Sequence, residues 1–219
     1  MDDEEAEHQR LFGPWDSLTP DDVRTLLADY PGRWWVVGGH AVEAFTGVHR
    51  DHHDVDVAFW RRDLALLRAH LSSRYDLWSV GSRTLRPLDD VHPDLHAESS
   101  QVWVREHALA PWALDLLAEE DRDGHWVFRR DADVVRPLED VTWVAPDGVR
   151  YQRPEVVLAH KAAHARPQDD ADLAATLPLL DDGSRAWLAS TVARLHPGHR
   201  WLDGLVGPAS TRMSGSPHP

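Results

Sequence analysis

Two aspartates, Asp54 and Asp56, have the residue type and spacing that could do chemistry. They lie in the segment 54–59, where acidic and apolar residues alternate, and this alternation predicts a strand with one polar face. Residues two apart on a strand point to the same face, so the two carboxylates should project side by side. Hard oxygen ligands of this kind suit Mg²⁺ or Mn²⁺. A harmless acid pair on a solvent-facing strand would show the same pattern.

A pair of glycines precedes these aspartates. Gly38 and Gly39 follow the apolar run 34–37, which we predict as a short buried strand, and a brief helix is predicted at 40–45. Bare backbone N–H groups at the start of a helix bind phosphate. A triphosphate cradle beside a divalent-metal site is what nucleotidyl transfer requires, because the metal polarises the α-phosphate and neutralises the pyrophosphate leaving group.

The spacing of these residues resembles a known signature. The chain reads Gly38-Gly39-His40-Ala41 and then Arg50-x-His52-x-Asp54-x-Asp56. This pattern is similar to that of the antibiotic nucleotidyltransferases, the aminoglycoside and lincosamide adenylyltransferase-like branch of the polymerase beta superfamily. That branch typically reads G-G-W-A and then R-x-H-x-D-x-D. His40 departs from the pattern, since an aromatic Trp or a Ser is more usual there.

The resemblance implies an α+β fold, with a polymerase-beta-like core of a mixed sheet flanked by helices and a helical C-terminal subdomain. It implies that Asp54 and Asp56 hold metal ions and that a third carboxylate on a later strand completes the site. Asp115 is the expected third carboxylate, because it interrupts the apolar run 112–117 and an isolated buried carboxylate is costly unless it is paired or metal-bound. Glu119 and Glu120 are the rival candidates.

The same resemblance implies a set of nucleotide-binding residues: Gly38, Gly39, His40, Arg50 and Lys161. Lys161 is the only lysine among 23 basic residues and lies on a helix predicted at 154–164. The alternative for Lys161 is a solvated side chain that interacts favourably with the end of that helix. Arg50 and His52 also have a structural alternative, in which at least one of them braces the loop before the aspartates.

The order of the predicted elements is a mixed α/β front followed by a helical back. We predict a flexible N-terminus at 1–18, a core domain at 19–150, a helical subdomain at 151–206 and a disordered tail at 207–219. Besides the elements above, helices are predicted at 19–29, 61–73, 169–180 and 184–195, and strands at 76–80, 102–105, 112–117, 126–129, 141–144 and 149–151.

Composition restricts the classes of function. There are 37 acidic and 23 basic residues, and the formal net charge of -14 disfavours a nucleic-acid partner and favours a cationic small molecule. The chain has no cysteine, which excludes disulfides and thiolate metal sites. No apolar run approaches the length of a membrane span, and the acidic start is unlike a signal peptide, so we expect a cytoplasmic protein.

The expected function is metal-dependent transfer of a nucleoside monophosphate to a hydroxyl of a small acceptor. The donor would be ATP or another nucleoside triphosphate, and the acceptor an aminoglycoside-type or lincosamide-type antibiotic. Two alternatives stay open: a toxin-type enzyme that modifies RNA or protein, and a silent nucleotide-binding module. The His52-His53-Asp54 run superficially resembles that of the all-helical phosphohydrolases, but the alternating residues after it favour a strand. The oligomeric state is left open.

Overall fold

The computed structural model describes residues 10–81 and 84–206. Its contacts divide the chain into two compact units, Met1–Arg153 and Pro154–Pro219. The predicted disordered tail at 207–219 and the first nine residues of the predicted flexible N-terminus lie outside the described residues.

The first unit has an α+β composition. Its helices that begin and end within the described residues are α1 (Pro20–Leu26), α2 (Gly38–Thr46), α3 (Leu64–Leu71) and α4 (Leu138–Val141), with a 3₁₀ turn at Arg61–Asp63 before α3. Its strands are β1 (Trp34–Val36), β2 (Asp56–Trp60), β3 (Asp76–Gly81), β4 (Thr84–Pro87), β5 (Gln101–Arg105), β6 (Leu114–Glu119), β7 (Asp121–Arg122), β8 (His125–Val127), β9 (Val135–Arg136), β10 (Thr142–Val144) and β11 (Arg150–Gln152).

The described strands of this unit form two sheets. The larger has eight strands in the order β10-β11-β1-β2-β6-β5-β3-β4, and the smaller has the order β7-β8-β9. In the larger sheet β2 and β6 are parallel, as are β1 and β11, while the other neighbours are antiparallel. The sheet is therefore mixed, as expected from the sequence, and β2 and β6 lie at its centre.

Large apolar side chains on the central strands form the core. Trp35 on β1 and Trp60 on β2 are fully buried and pack edge to face, with ring centroids 4.9 Å apart. Phe59 on β2 and Leu116 on β6 have no exposed surface. Since the ends of β2 and β6 carry the acidic residues of interest, this packing fixes the strands on which those residues sit.

Residues 10–18, within the predicted flexible N-terminus, lie against the residues that lead into β6. The Asp16 and Leu18 backbone N–H groups donate to the carbonyls of Trp112 and Ala113, each at 2.9 Å. The Trp112 indole N–H donates to the Phe12 carbonyl at 2.6 Å. These bonds use the backbone groups of residues 112 and 113, which explains why β6 begins at Leu114 rather than at the predicted residue 112.

The second unit is helical. Among its described residues, the helices are α5 (Pro154–Lys161), α6 (Pro167–Thr176), α7 (Asp182–Leu195) and α8 (Leu202–Val206), with a 3₁₀ turn at Leu177–Leu179. Pro154 and Pro167 each occupy the first position of a helix, where the missing N–H costs nothing. Within the described ranges, no helix has the length and apolar character that a membrane crossing requires.

Candidate functional site

The glycine pair opens α2 rather than preceding it. Gly38 is the first residue of the helix and has a left-handed φ of +64°, while Val37 is extended and occupies the N-cap position. No side chain caps this helix, and its first turn carries no acidic residue. The predicted helix at 40–45 is thus longer, at Gly38–Thr46, and the backbone N–H groups at its start belong to the two glycines and His40.

Strand register brings two carboxylates together at the start of β2 and β6. Asp56 and Asp115 are direct partners in the parallel ladder between these strands. The predicted strand at 54–59 begins two residues later, at Asp56, and the Val55 N–H before it donates to Ser17 Oγ at 2.8 Å. Asp54 therefore lies just outside the strand.

Asp54, Asp56 and Asp115 nevertheless converge. Each offers one carboxylate oxygen, and these oxygens all lie within 4.8 Å of one another. The Gln101 amide donates to Asp115 Oδ2 at 2.9 Å, whereas Asp115 Oδ1 has no well-formed hydrogen bond within the described residues. A buried carboxylate that faces two further carboxylates fits a divalent cation with hard oxygen ligands.

The environment makes Asp115 an unusual acid. Its residue surface is only 4% exposed, and Trp103 on β5 is its register partner. Burial raises the pKa of Asp115 well above its usual value, and the charges of Asp56 and Asp54 raise it further, while the side chains of Trp103 and Gln101 act in the opposite direction. A cation bound among the three carboxylates would remove this repulsion.

The rival carboxylates occupy a different place. Glu119 is four residues along β6 from Asp115, about 13 Å away at the usual rise of a strand, and its register partner is Trp60. It accepts a hydrogen bond from the Trp126 indole at 3.1 Å. Glu120 pairs with Arg61 at 2.6 Å. Neither belongs to the group of converging carboxylates around Asp115.

Burial of Glu119 has a measurable consequence. It raises the pKa of Glu119 from 4.5 to about 7. Such an acid favours the fold while it is protonated, so its contribution is complete below pH 4.5 and is lost as the pH rises through about 7. We expect the unfolding free energy of the protein to fall by roughly 3 kcal/mol more than that of Glu119→Gln between pH 4.5 and 8. Urea titrations of both proteins across this range measure the difference, and parallel pH profiles would contradict the assignment.

The two glycines are also required by the side chains that lie over them. A Cβ on Gly38 would lie 2.2 Å from Asp56 Oδ2, and a Cβ on Gly39 would lie 2.2 Å from Arg50 Nη2 and 2.6 Å from His52 Nδ1. The Asp56 carboxylate is therefore packed directly against the first residue of α2. The start of this helix and the carboxylate group form one site.

Gly38→Ala should show this close approach in function. We expect it to abolish Mg²⁺-dependent activity, since the new methyl group collides with the Asp56 carboxylate. Gly47→Ala is the matched control: Gly47 has a similar φ of +68°, but a Cβ there meets nothing within 4 Å. In both variants an alanine is forced into a left-handed backbone conformation, which should lower the unfolding free energy by about 1–2 kcal/mol. Thermal melts of the two variants measure this loss. Equal activity in the two variants would show that the approach to Asp56 is unimportant.

A second polar group holds the loop between α2 and β2. His52 Nε2 lies 2.8 Å from Glu43 Oε2, and His49 Nδ1 lies 2.9 Å from Glu43 Oε1. The Arg50 guanidinium donates to the Asp51 carbonyl at 2.9 Å. The loop is thus tied to α2 through Glu43, which is the bracing role that the sequence left open for Arg50 and His52.

His40 packs on this brace. Its ring lies 3.9 Å from that of His52, centroid to centroid, with 31° between their planes. Burial lowers the pKa of His40 to about 4, with His52 as the next contribution. Sequence reasoning missed Glu43, because a contact between residues nine apart across a loop has no periodic signal; only its position three residues after His40 pointed to it.

Lys161 lies in the second unit with two carboxylate partners. Its Nζ is 2.9 Å from both Asp169 Oδ1 and Asp172 Oδ2, and its side chain is only 10% exposed. The alternative of a solvated lysine is therefore wrong, since the ammonium is enclosed. Its predicted contact with nucleotide phosphates stays a prediction.

Comparison with known proteins shows what this chain is similar to. Residues 21–86 match the family model of aminoglycoside-2''-adenylyltransferase, which covers Gly38, Gly39, Asp54 and Asp56 but under a third of the chain. The match and the fold confirm the resemblance to antibiotic nucleotidyltransferases. A comparison with curated protein sequences finds no match.

Solved structures share the fold at low sequence identity. The antibiotic-resistance factor ANT(2'')-Ia in solution is 15% identical, with a TM-score of 0.50 over 80% of this chain and 89% of the other. A crystal structure of ANT(2'')-Ia in complex with adenylyl-2''-tobramycin is 15% identical, with a TM-score of 0.51 over 80% of this chain and 95% of the other. The lincomycin-bound lincosamide antibiotic adenylyltransferase LnuA is 17% identical, with a TM-score of 0.51 over 73% of this chain and 97% of the other. The mixed α+β architecture is common to all.

Proposed function

We propose that this protein is a metal-dependent nucleotidyltransferase that transfers AMP from ATP to a hydroxyl group of a small cationic antibiotic. The observation that carries the proposal is the contact between the start of α2 and the carboxylates, where a Cβ on Gly38 would lie 2.2 Å from Asp56 Oδ2. A helix N-terminus without a cap attracts phosphate, and convergent carboxylates attract a divalent cation. A nucleoside triphosphate with its bound divalent cation would bring the phosphate and the cation to this place together. The core would then be of the polymerase-beta type.

Asp54, Asp56 and Asp115 would hold Mg²⁺ or Mn²⁺. The cation, when bound, supplies charge neutralisation at the α-phosphate and the pyrophosphate. The N–H groups of Gly38, Gly39 and His40 would orient the triphosphate, and the braced loop would keep the Arg50 guanidinium beside Gly39. Lys161 stays a candidate phosphate ligand on the grounds of the resemblance.

Asp115 is the group we assign to proton transfer. The acceptor oxygen forms a bond to the α-phosphorus, the bond from that phosphorus to the bridging oxygen of pyrophosphate breaks, and the hydroxyl proton passes to a base. Asp115 Oδ1 has no well-formed hydrogen bond within the described part of the chain. The resemblance implies that the third carboxylate can act as a base towards the attacking hydroxyl, and Asp115 is the carboxylate beside Asp56 on the neighbouring strand.

Charge supports a cationic acceptor over RNA. The protein has a formal net charge of -14, which repels a polyanion and attracts polycations such as aminoglycosides. The retained set of three carboxylates also favours turnover over a silent binding module. The cytoplasmic location expected from the sequence stays a prediction.

A labelled-donor assay tests the proposal. The protein is incubated with ATP or GTP labelled at the α-phosphate, Mg²⁺ and one of three acceptors: tobramycin, lincomycin or bulk tRNA. We expect label on a small-molecule antibiotic, equimolar pyrophosphate, and no transfer after chelation of the metal. Label on tRNA or on protein would support the toxin-type alternative instead, and no turnover with any acceptor would favour a silent module.

A further inference from the structure

A second group of metal-binding residue types lies on the brace of the α2–β2 loop. His40 and Glu43 are three residues apart on α2, so their side chains extend from the same side of the helix. His52 reaches them from the following loop. One ring nitrogen from each histidine and one Glu43 oxygen lie within 4.8 Å of one another.

The protein holds these groups in position before any ion binds. His52 is 7% exposed by side chain and is fixed by its 2.8 Å contact with Glu43. The bare backbone of Gly39 lets the His52 ring lie against the helix, where any Cβ would approach Nδ1 to 2.6 Å. A rigid, largely buried imidazole with a carboxylate beside it loses little side-chain entropy on binding a cation.

The donor set differs from that of the three aspartates. Imidazole nitrogens and one carboxylate suit Zn²⁺, Co²⁺ or Ni²⁺, whereas Mg²⁺ prefers oxygen ligands. Two histidines and a glutamate, with one position left for water, are a known arrangement for zinc. Ligand atoms about 2.0–2.1 Å from a tetrahedral ion are about 3.3 Å apart, so small rotations of the side chains would close the present group around one.

We propose that His40, Glu43 and His52 form a second metal site, selective for Zn²⁺ and similar borderline cations, which locks the α2–β2 loop onto α2. The site needs His40, which stands at the position where the sequence departs from G-G-W-A. The Arg50 guanidinium lies near Gly39 and opposes a cation, while the Glu43 carboxylate favours it. This inference does not depend on the proposed function.

The rival explanation is that His40 only stacks on His52. The variant His40→Phe distinguishes metal binding from stacking, because a phenyl ring can still stack on His52 but has no ring nitrogen to bind a metal. His125→Phe is the matched control, since His125 is an exposed histidine on β8, in the smaller sheet. His40→Ala and thermal melts of every variant report whether a loss of binding follows from a loss of fold.

Co²⁺ is the probe, because its visible absorption bands report the number and type of its ligands. The metal-free full chain is titrated with Co²⁺ in excess Mg²⁺, which competes for the aspartates. We expect one equivalent to bind with intense bands of a four-coordinate, nitrogen-ligated ion, and Zn²⁺ to displace it. His40→Phe should weaken Co²⁺ binding at least about 10-fold, while His125→Phe and Asp54→Asn keep the bands.

Three results would overturn the proposal, and the first two concern the variants. One is a Co²⁺ titration of folded His40→Phe that matches the wild type. The other is loss of the bands in Asp54→Asn but not in His40→Phe, which would assign the ion to the aspartates. Absence of Co²⁺ binding by the wild type under these conditions counts equally against it.

Discussion

Asp115→Asn is expected to lower the rate of nucleotidyl transfer by about 10³-fold or more, because it removes both a cation ligand and the proposed base. The same variant should be more stable than the wild type in the absence of divalent cations. Asparagine has nearly the same volume as aspartate, so the packing against Trp103 is kept while a buried charge beside Asp56 and Asp54 is removed.

The stability difference should depend on pH with a definite sign. Because the folded-state pKa of Asp115 is raised, its contribution to stability is complete below the unfolded value of about 3.9 and is lost as the pH rises through the folded value. The difference in unfolding free energy between Asp115→Asn and the wild type should therefore increase as the pH rises above 4. Added Mg²⁺ should stabilise the wild type and not the variant, since only the former keeps all three carboxylates.

Kinetics with the labelled donor and urea unfolding with and without Mg²⁺ measure both effects. Asp133→Asn is the control, because Asp133 is exposed and distant in sequence from the three aspartates, and its stability should stay within about 0.5 kcal/mol. Wild-type turnover in Asp115→Asn would remove Asp115 from the site. A variant that is less stable than the wild type in metal-free buffer would contradict the repulsion argument.

Lys161→Ala is expected to destabilise the helical unit by about 3–5 kcal/mol. The substitution leaves Asp169 and Asp172 facing each other, and these residues are 0% and 5% exposed by side chain. Asp169 also accepts the Arg166 backbone N–H at the start of α6 and an ion pair from the Arg166 side chain, so the helix start is coupled to the pair. Unfolding followed by circular dichroism, which reports helix content, measures the loss.

Two further variants sharpen this test. Lys161→Arg keeps the charge but replaces a compact ammonium by a larger planar group, and we expect it to cost about 1–3 kcal/mol. Arg24→Ala breaks an exposed pair with Asp21 and should cost no more than about 1 kcal/mol. If Lys161→Ala lowered the unfolding free energy no more than Arg24→Ala does, the enclosed ion pairs of Lys161 would contribute little to stability. A loss of ATP affinity in folded Lys161→Arg would support a phosphate contact of Lys161.

The sequence predicted which carboxylates come together, but not the strand pairing and loop position that bring them together. Asp54 was placed beside Asp56 by strand alternation, yet it lies outside β2, and its oxygen approaches the others from the loop. Asp115 was identified as a lone acid in an apolar run, which works because burial makes such a residue costly without a partner. The ladder between β2 and β6, which pairs it with Asp56, has no signal in a single sequence.

The parts that escaped prediction are short or depend on tertiary contacts. β7 and β9 have two residues each, too few for a periodic pattern, and β4 lies at the edge of the large sheet. The fit of Gly39 under Arg50 and His52 also required coordinates. Glycine in a sequence marks a need for space or conformational freedom without saying which atoms take the space.

The pairing of Asp56 with Asp115 makes the alignment of two strands a condition for catalysis. Successive residues of a strand point to opposite faces, so a slip of one position between β2 and β6 would send one carboxylate through to the far side of the sheet. A chain that folds with this slip would separate the two carboxylates and could not hold a cation between them. Insertions or deletions of one residue in β6 should consequently silence the protein far more often than substitutions at the same positions.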